Sequence, residues 1–148
     1  MKKIICVLIP FLFLLSGCGP IYKGTIVCEI AYDENYYNKF EWNYIDSDIV
    51  SSHTIFYAPL EWVDLNGKTF EEMVLYYKDL YSSVEGSYEF HVDENGILYE
   101  ETYVDYTLTD RELLRKKGFQ IGEYKVTLPY EKKGYTCEKK PYYDPDRI

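Results

Sequence analysis

Histidine is nearly missing from this chain: among 148 residues only His53 and His91 carry an imidazole. Neither has a second histidine or cysteine three or four positions away, the spacing that sets two zinc ligands on one helix face. There is no Gly-x-Ser-x-Gly turn and no glycine-rich phosphate loop. Asp-Glu-Asn occurs twice, at 33–35 and 93–95, without the twelve-residue frame and closing glutamate of a calcium loop, so turn chemistry explains both copies. Glu100 and Glu101 are adjacent in a strand-like run and point to opposite faces, so they cannot share a proton. Glu71-Glu72 belongs to a helix start. No catalytic residue, metal ligand or cofactor site is therefore assigned. Positive charge is scarce too, with 16 Lys and Arg against 25 Asp and Glu. That balance excludes nucleic acid as a partner, since phosphate binding needs a basic footprint.

Long apolar runs are also lacking. The longest, Ile4 to Leu15, is twelve residues, against the twenty or so of a spanning helix. It follows Lys2 and Lys3 and ends in Leu15-Ser16-Gly17-Cys18. A basic start, a short greasy middle and small residues before a cysteine resemble a bacterial lipoprotein signal. The resemblance implies cleavage between Gly17 and Cys18, a diacylglyceryl group on the Cys18 sulfur and an acyl-anchored protein outside the cytoplasm. Residues 1–17 are then a removed signal and 18–23 a lipidated cysteine with a short tether. Loss of Lys2 and Lys3 takes the net charge from −9 to −11. Cys6 leaves with the signal and Cys18 takes the lipid. Cys28 and Cys137 remain, and in an exported protein a lone pair reads as a disulfide.

Tyrosine is what the chain has in abundance: 18, all at Tyr22 or beyond. Tyrosine suits strands and joins an apolar body to a polar tip. The ordinary consequence is a small antiparallel sheet with one face partly wet. The functional one is a binding surface for a glycan or peptide on the open sheet face, the alternative to a non-enzymatic envelope protein; a hydrolase using a carboxylate pair is the third reading.

Periodicity gives the elements. Ile26, Cys28, Ile30 and Tyr32 alternate with Thr25, Val27, Glu29 and Ala31; Phe40, Trp42 and Tyr44 alternate with Lys39, Glu41 and Asn43. Both runs read as strands, with turns at Asp33-Glu34-Asn35 and Asp46-Ser47-Asp48. A third strand runs from Ile49 to Tyr57, ended by Pro59. Thr69-Phe70-Glu71-Glu72 has capping-box spacing, and Phe70, Met73, Val74, Tyr77, Leu80, Tyr81 and Val84 form a helical stripe up to Gly86. A hairpin follows, with Tyr88, Phe90 and Val92 before Asn95-Gly96 and a return strand from Ile97 to about Thr107. Thr109-Asp110-Arg111-Glu112 reads as a second capping box, opening a short helix with Leu113 and Leu114 that Gly118 closes. Thr127 is expected to cap one turn ending at Gly134, because Pro129 cannot sit deep in a helix. Residues 138–148, with Pro141 and Pro145, read as a loosely held tail. The sum is an α+β domain over 24–137: an antiparallel sheet of about five strands, one long amphipathic helix on one face, and one or two short helices.

This order of elements is similar to the YehR-like family of small bacterial lipoproteins, whose function is not established. The resemblance rests on Tyr103-Val104-Asp105-Tyr106 leading into a leucine-bearing helix, on Cys28 in the first strand and on the closing Gly134-Tyr135-Thr136-Cys137. Pro129 departs from the pattern, since members carry a longer final helix there. The resemblance implies a lipid-anchored envelope protein and brings no catalytic residues with it. The membrane is then a partner through Cys18, and an envelope glycan or protein is the candidate ligand. A further expectation concerns Lys23, Lys132, Lys133, Lys139 and Lys140: with Cys137 tied to Cys28, they would form a basic end facing the bilayer.

Overall fold

In a computed structural model of the chain, residues 23–122 and 127–141 are described. Six strands form one antiparallel sheet: β1 (Lys23–Asp33), β2 (Tyr36–Ile45), β3 (Asp48–Pro59), β4 (Gly86–Val92), β5 (Ile97–Asp105) and β6 (Thr136–Pro141). Their order across the sheet is β4-β5-β3-β2-β1-β6. The first three strands form a meander. Asp33 turns one corner by accepting a hydrogen bond from the Asn35 N–H at 2.7 Å. In the β4–β5 hairpin the Asp93 carboxylate accepts from the N–H groups of Asn95 and Ile97, at 2.9 and 2.8 Å, and Gly96 takes a φ of +78°. These bonds are the Asx-turn chemistry that both Asp-Glu-Asn copies encode.

Alternation sorts the side chains into two faces. On one lie Ile26, Cys28, Trp42, Tyr44 and Val104, all buried, joined in the core by Ile49, Tyr106 and Leu114. All three helices lie on this face: α1 (Phe70–Tyr81), α2 (Arg111–Lys116) and α3 (Thr127–Glu131). Tyr81 of α1, Leu114 of α2 and Tyr130 of α3 pack into the core cluster. The α1 stripe is as the sequence reads, for every stripe residue is partly buried while Glu71, Glu72, Lys78 and Asp79 are exposed. Its capping box is complete: Thr69 accepts from the Glu72 N–H, and Glu72 accepts from the Thr69 N–H. Aromatic rings seat the helix, Phe70 and Tyr77 on Phe90 and Tyr81 on Tyr88.

Four expectations need correction. The sheet has six strands, not about five, and α1 spans three turns rather than forming a long helix. The chain after Cys137 does not leave the domain as a tail at 138; it continues as β6 to Pro141, paired with β1 from Glu29↔Thr136 to Gly24↔Pro141. Alternation is hard to read there because the edge strand is short and runs Glu138-Lys139-Lys140. Residues 142–148 lie outside the described ones. Finally, Thr109 does not cap α2. Asp110 does, accepting from the Leu113 N–H at 2.9 Å, while buried Thr109 accepts from the Glu85 N–H and donates to the Asp105 carbonyl. The threonine is better used tying β5 to the start of β4 than capping a one-and-a-half-turn helix.

Cys28 and Cys137 are bonded to each other and stand directly opposite in the β1–β6 ladder. The bond closes a segment of 109 residues, for which loop entropy alone is worth about 4–5 kcal/mol. Replacing both cysteines with alanine should lower unfolding stability by about 2–5 kcal/mol, measured as a drop in urea midpoint. Thiol titration of the denatured, unreduced wild type should find neither cysteine free; two reactive thiols there would refute the bond.

Candidate functional site

On the second face of the sheet Thr25, Val27 and Ser51, toward the Lys23 end, are buried, and the other strand residues are partly or fully exposed. Pairing register lays its side chains out in rows that cross the strands. Nearest Lys23 the row is polar: Thr25 Oγ1 donates to Asn43 Oδ1 at 2.6 Å, and Asn43 Nδ2 donates to Ser51 Oγ at 3.0 Å. The next row pairs Glu41, His53 and Tyr103. The one after runs Glu29, Lys39, Ile55, Glu101, Glu89. The last is aromatic: Tyr37 pairs with Tyr57, Tyr57 with Tyr99, and Tyr99 with His91.

That last row is continuous. Ring centroids are 5.5 Å apart from Tyr37 to Tyr57, 5.8 Å from Tyr57 to Tyr99 and 5.3 Å from Tyr99 to His91. Each ring packs against the next, and Tyr99 keeps 38% of its surface exposed. Carboxylates hold both ends. The Tyr37 hydroxyl donates to Glu29 Oε2 at 3.0 Å, and His91 Nδ1 lies 3.1 Å from Glu89 Oε1. Partial burial, and then the bond to Glu29, push the Tyr37 phenol up to about 12, so it stays a donor. In the neighbouring rows His53 Nε2 meets Glu101 Oε1 at 2.8 Å, and Lys39 meets Glu41 at 2.8 Å. The surface is a band of rings bordered by acidic groups.

The opposite face offers one unusual group. Glu100 points beneath α1, where the Tyr77 hydroxyl donates to its carboxylate. Burial pushes Glu100 up to about 7, against a smaller downward pull from that bond. Glu101, one residue on, is exposed on the open face, so the two do not share a site. A cleft of about 300 Å³ opens beside α2, between Asp48, Tyr106, Thr109, Arg111 and Leu114. Arg111 holds Asp48 there with two bonds, at 2.8 and 2.9 Å, and keeps that carboxyl below its ordinary range. No second carboxylate lines the cleft, so it does not present the pair a glycoside hydrolase uses. Among the described residues no three His, Cys, Asp or Glu converge as metal ligands.

His53 and His91 both stand on the open face, His91 as its position between Phe90 and Val92 implies and His53 among serines and threonines. Cys28 and Cys137 meet. Gly17 and Cys18, and with them the signal at 1–17, lie outside the described residues. The expected basic end comes apart. Lys139 and Lys140 pair near the start of β1, close to Lys23, but Lys132 and Lys133 precede Thr136, which pairs with Glu29. That pair lies about 20 Å along β1 from Lys23. Lys140 is also 3.5 Å from Glu138, and Lys139 lies over the Tyr44 ring. Tyr37, Tyr57, Tyr99 and His91 carry no sequence signal as a set, because only the register of four strands aligns them.

No protein-family model and no curated protein matches the chain. Two solved structures align with it. One is an NMR structure of a protein from Streptococcus pneumoniae TIGR4, 15% identical, covering 81% of this chain and 86% of that one, with a TM-score of 0.45. The other is the NMR structure of E. coli YehR, 10% identical, covering 86% of this chain and 96% of that one, with a TM-score of 0.46. Similarity at that level carries no argument about what this chain does.

Glu100 makes stability depend on pH. Its folded value of about 7 exceeds the ordinary 4.5. Between those values the folded chain keeps a proton that the unfolded chain has released, so the Glu100 contribution is full below about pH 4.5 and fades as pH rises through 7. Glu100→Gln should therefore be more stable than wild type at pH 8, by about 1–3 kcal/mol, and equal to it at pH 4. Denaturant titrations of the two proteins across this range check the sign; a constant difference would show that Glu100 does not titrate in that window.

Proposed function

We propose that the chain is a lipid-anchored bacterial envelope protein of YehR-like type whose open sheet face binds an extended ligand. The lipid part rests on Lys2-Lys3, the apolar core and Leu15-Ser16-Gly17-Cys18. The binding part rests on one observation, the unbroken row Tyr37–Tyr57–Tyr99–His91 on the sheet face opposite the helices.

The two parts fit together in space. Lys23 begins β1 five residues after Cys18, a reach of at most about 18 Å. The aromatic row crosses the sheet level with Ala31, the partner of Tyr37, some 26 Å farther along β1. A lipid at Cys18 would hold the Lys23 end toward the bilayer and present the row away from it. The row crosses a sheet face, which suits a ligand laid over it. With rings and carboxylates but no basic cluster, it is unsuited to nucleic acid.

Cys18→Ala should abolish incorporation of labelled fatty acid and leave the precursor uncut. An unmodified N-terminus at Cys18 in wild-type membranes would refute lipidation. Footprinting tests the face separately. In envelopes of the native host, Tyr57 and Tyr99 should be protected from radical modification relative to the purified protein, while Tyr76 on α1 should not be. Equal labelling in both preparations would mean that the face is unoccupied.

A further inference from the structure

We infer, resting on that binding face, that its ligand is a glycan strand of neutral or amine-bearing sugars, laid across the strands along Tyr37, Tyr57, Tyr99 and His91.

The direction of the row is the first argument. It runs perpendicular to the strands, one ring per strand, over β2, β3, β5 and β4. An extended peptide needs partners for its backbone N–H and C=O groups and finds them at a sheet edge. Laid over ring carbons, it would leave those groups unpaired. A pyranose has the opposite layout. Its ring carbons present an apolar C–H patch, and its hydroxyls stand at the rim. The patch packs on aromatic carbon, and the rim needs hydrogen-bond partners to either side.

Such partners line one side of the row. Two residues along each strand from the rings lie Lys39, Glu101 and Glu89, with apolar Ile55 between Lys39 and Glu101, a lateral distance of about 7 Å. Glu29 stands at the Tyr37 end, where it already accepts one hydroxyl, that of Tyr37 itself. Glu89 and Glu101 are exposed and open to further donors. Carboxylates that accept from sugar hydroxyls give the stronger, charge-assisted kind of bond. The rings are already packed on one another, so little order would have to be created on binding.

Charge decides the class of sugar. The groups bordering the row are Glu29, Glu89 and Glu101, with Lys39 held by Glu41, and the chain as a whole is acidic at −9. A polysaccharide carrying carboxylates or sulfates would meet repulsion of like charge. An amine on the sugar would meet both a carboxylate and an aromatic face, each of which favours a cation.

An array of short neutral, amine-bearing and acidic oligosaccharides, probed with the mature lipidated protein in nanodiscs, tests this. Binding should be confined to the neutral and amine-bearing members. Tyr57→Ala and Tyr99→Ala should each weaken it roughly tenfold or more, while Tyr99→Phe, which keeps the ring, and Tyr76→Ala, which lies on α1, should not. Binding of the amine-bearing members should weaken with added salt. A circular dichroism spectrum and an intact disulfide in each variant separate lost binding from lost folding. Preference for acidic members, or binding insensitive to both alanine variants, would overturn the proposal. If no oligosaccharide binds while Tyr57 and Tyr99 remain protected in native envelopes, the glycan is wrong and the binding face stands. If that protection is missing as well, both readings fall.

Discussion

The bond between Cys28 and Cys137 is the constraint on which the rest of the structure leans. It joins the first described strand to the last, in register, one pair in from the Glu29–Thr136 end of the β1–β6 ladder. Cys28 is fully buried within the core cluster. The short β6 carries little apolar surface of its own, and a six-residue edge strand would otherwise fray. Held in place, it brings α3 onto the sheet, where Tyr130 packs on Phe40 and Trp42 and Tyr135 packs on Phe40. Tyr135 also accepts a hydrogen bond from Asn38 Nδ2 at 2.9 Å. Tyr44 depends on the same neighbourhood. Its ring lies over Gly24, where any Cβ would collide with the Tyr44 hydroxyl, and Lys139 of β6 covers it.

The two faces of the sheet do different physical work. The helix-bearing face holds the core and accepts one acid, Glu100, at a cost in stability that grows as the group ionises. Its Tyr77 partner softens that cost without removing it. The open face spends its side chains otherwise. Its rings pack sideways on each other instead of being covered, and its carboxylates pair with His53, His91 and Tyr37 rather than with arginine. Arginine is used elsewhere, in the Arg111–Asp48 fork beside α2. An aromatic band that is already ordered, half-buried at Tyr37 and Tyr57 and exposed at Tyr99 and His91, is an arrangement suited to a binding surface.

How much of this was legible in the sequence follows from how local each signal is. The β2 alternation, the Asn95-Gly96 turn and the α1 stripe with its Thr69 cap are written within a few residues, and all stand in the structure. The pairing of Cys28 with Cys137 was readable on the expectation of export, which leaves two cysteines and one bridge to make. Thr109 misled because a cap pattern is short, and tertiary contact to Glu85 outweighed it. β6 was missed because a short strand with Glu138-Lys139-Lys140 at a sheet edge looks like a solvated tail. Lys132 and Lys133 were misplaced because a turn and the run of β6 separate them from Lys139.

By itself, then, the sequence determined the cysteine pair, the acidic balance, and the kind and order of nearly every element, since each depends on composition or on spacing within one segment. Tertiary structure alone decided that β3 pairs with β5 rather than β4, because strand order is set by which apolar faces meet and not by any one of them. It alone decided that Glu100 sits beneath Tyr77. The aromatic row belongs wholly to this second kind. Tyr37, Tyr57, His91 and Tyr99 come from four strands, and a slip of one residue in any pairing would turn that ring to the other face.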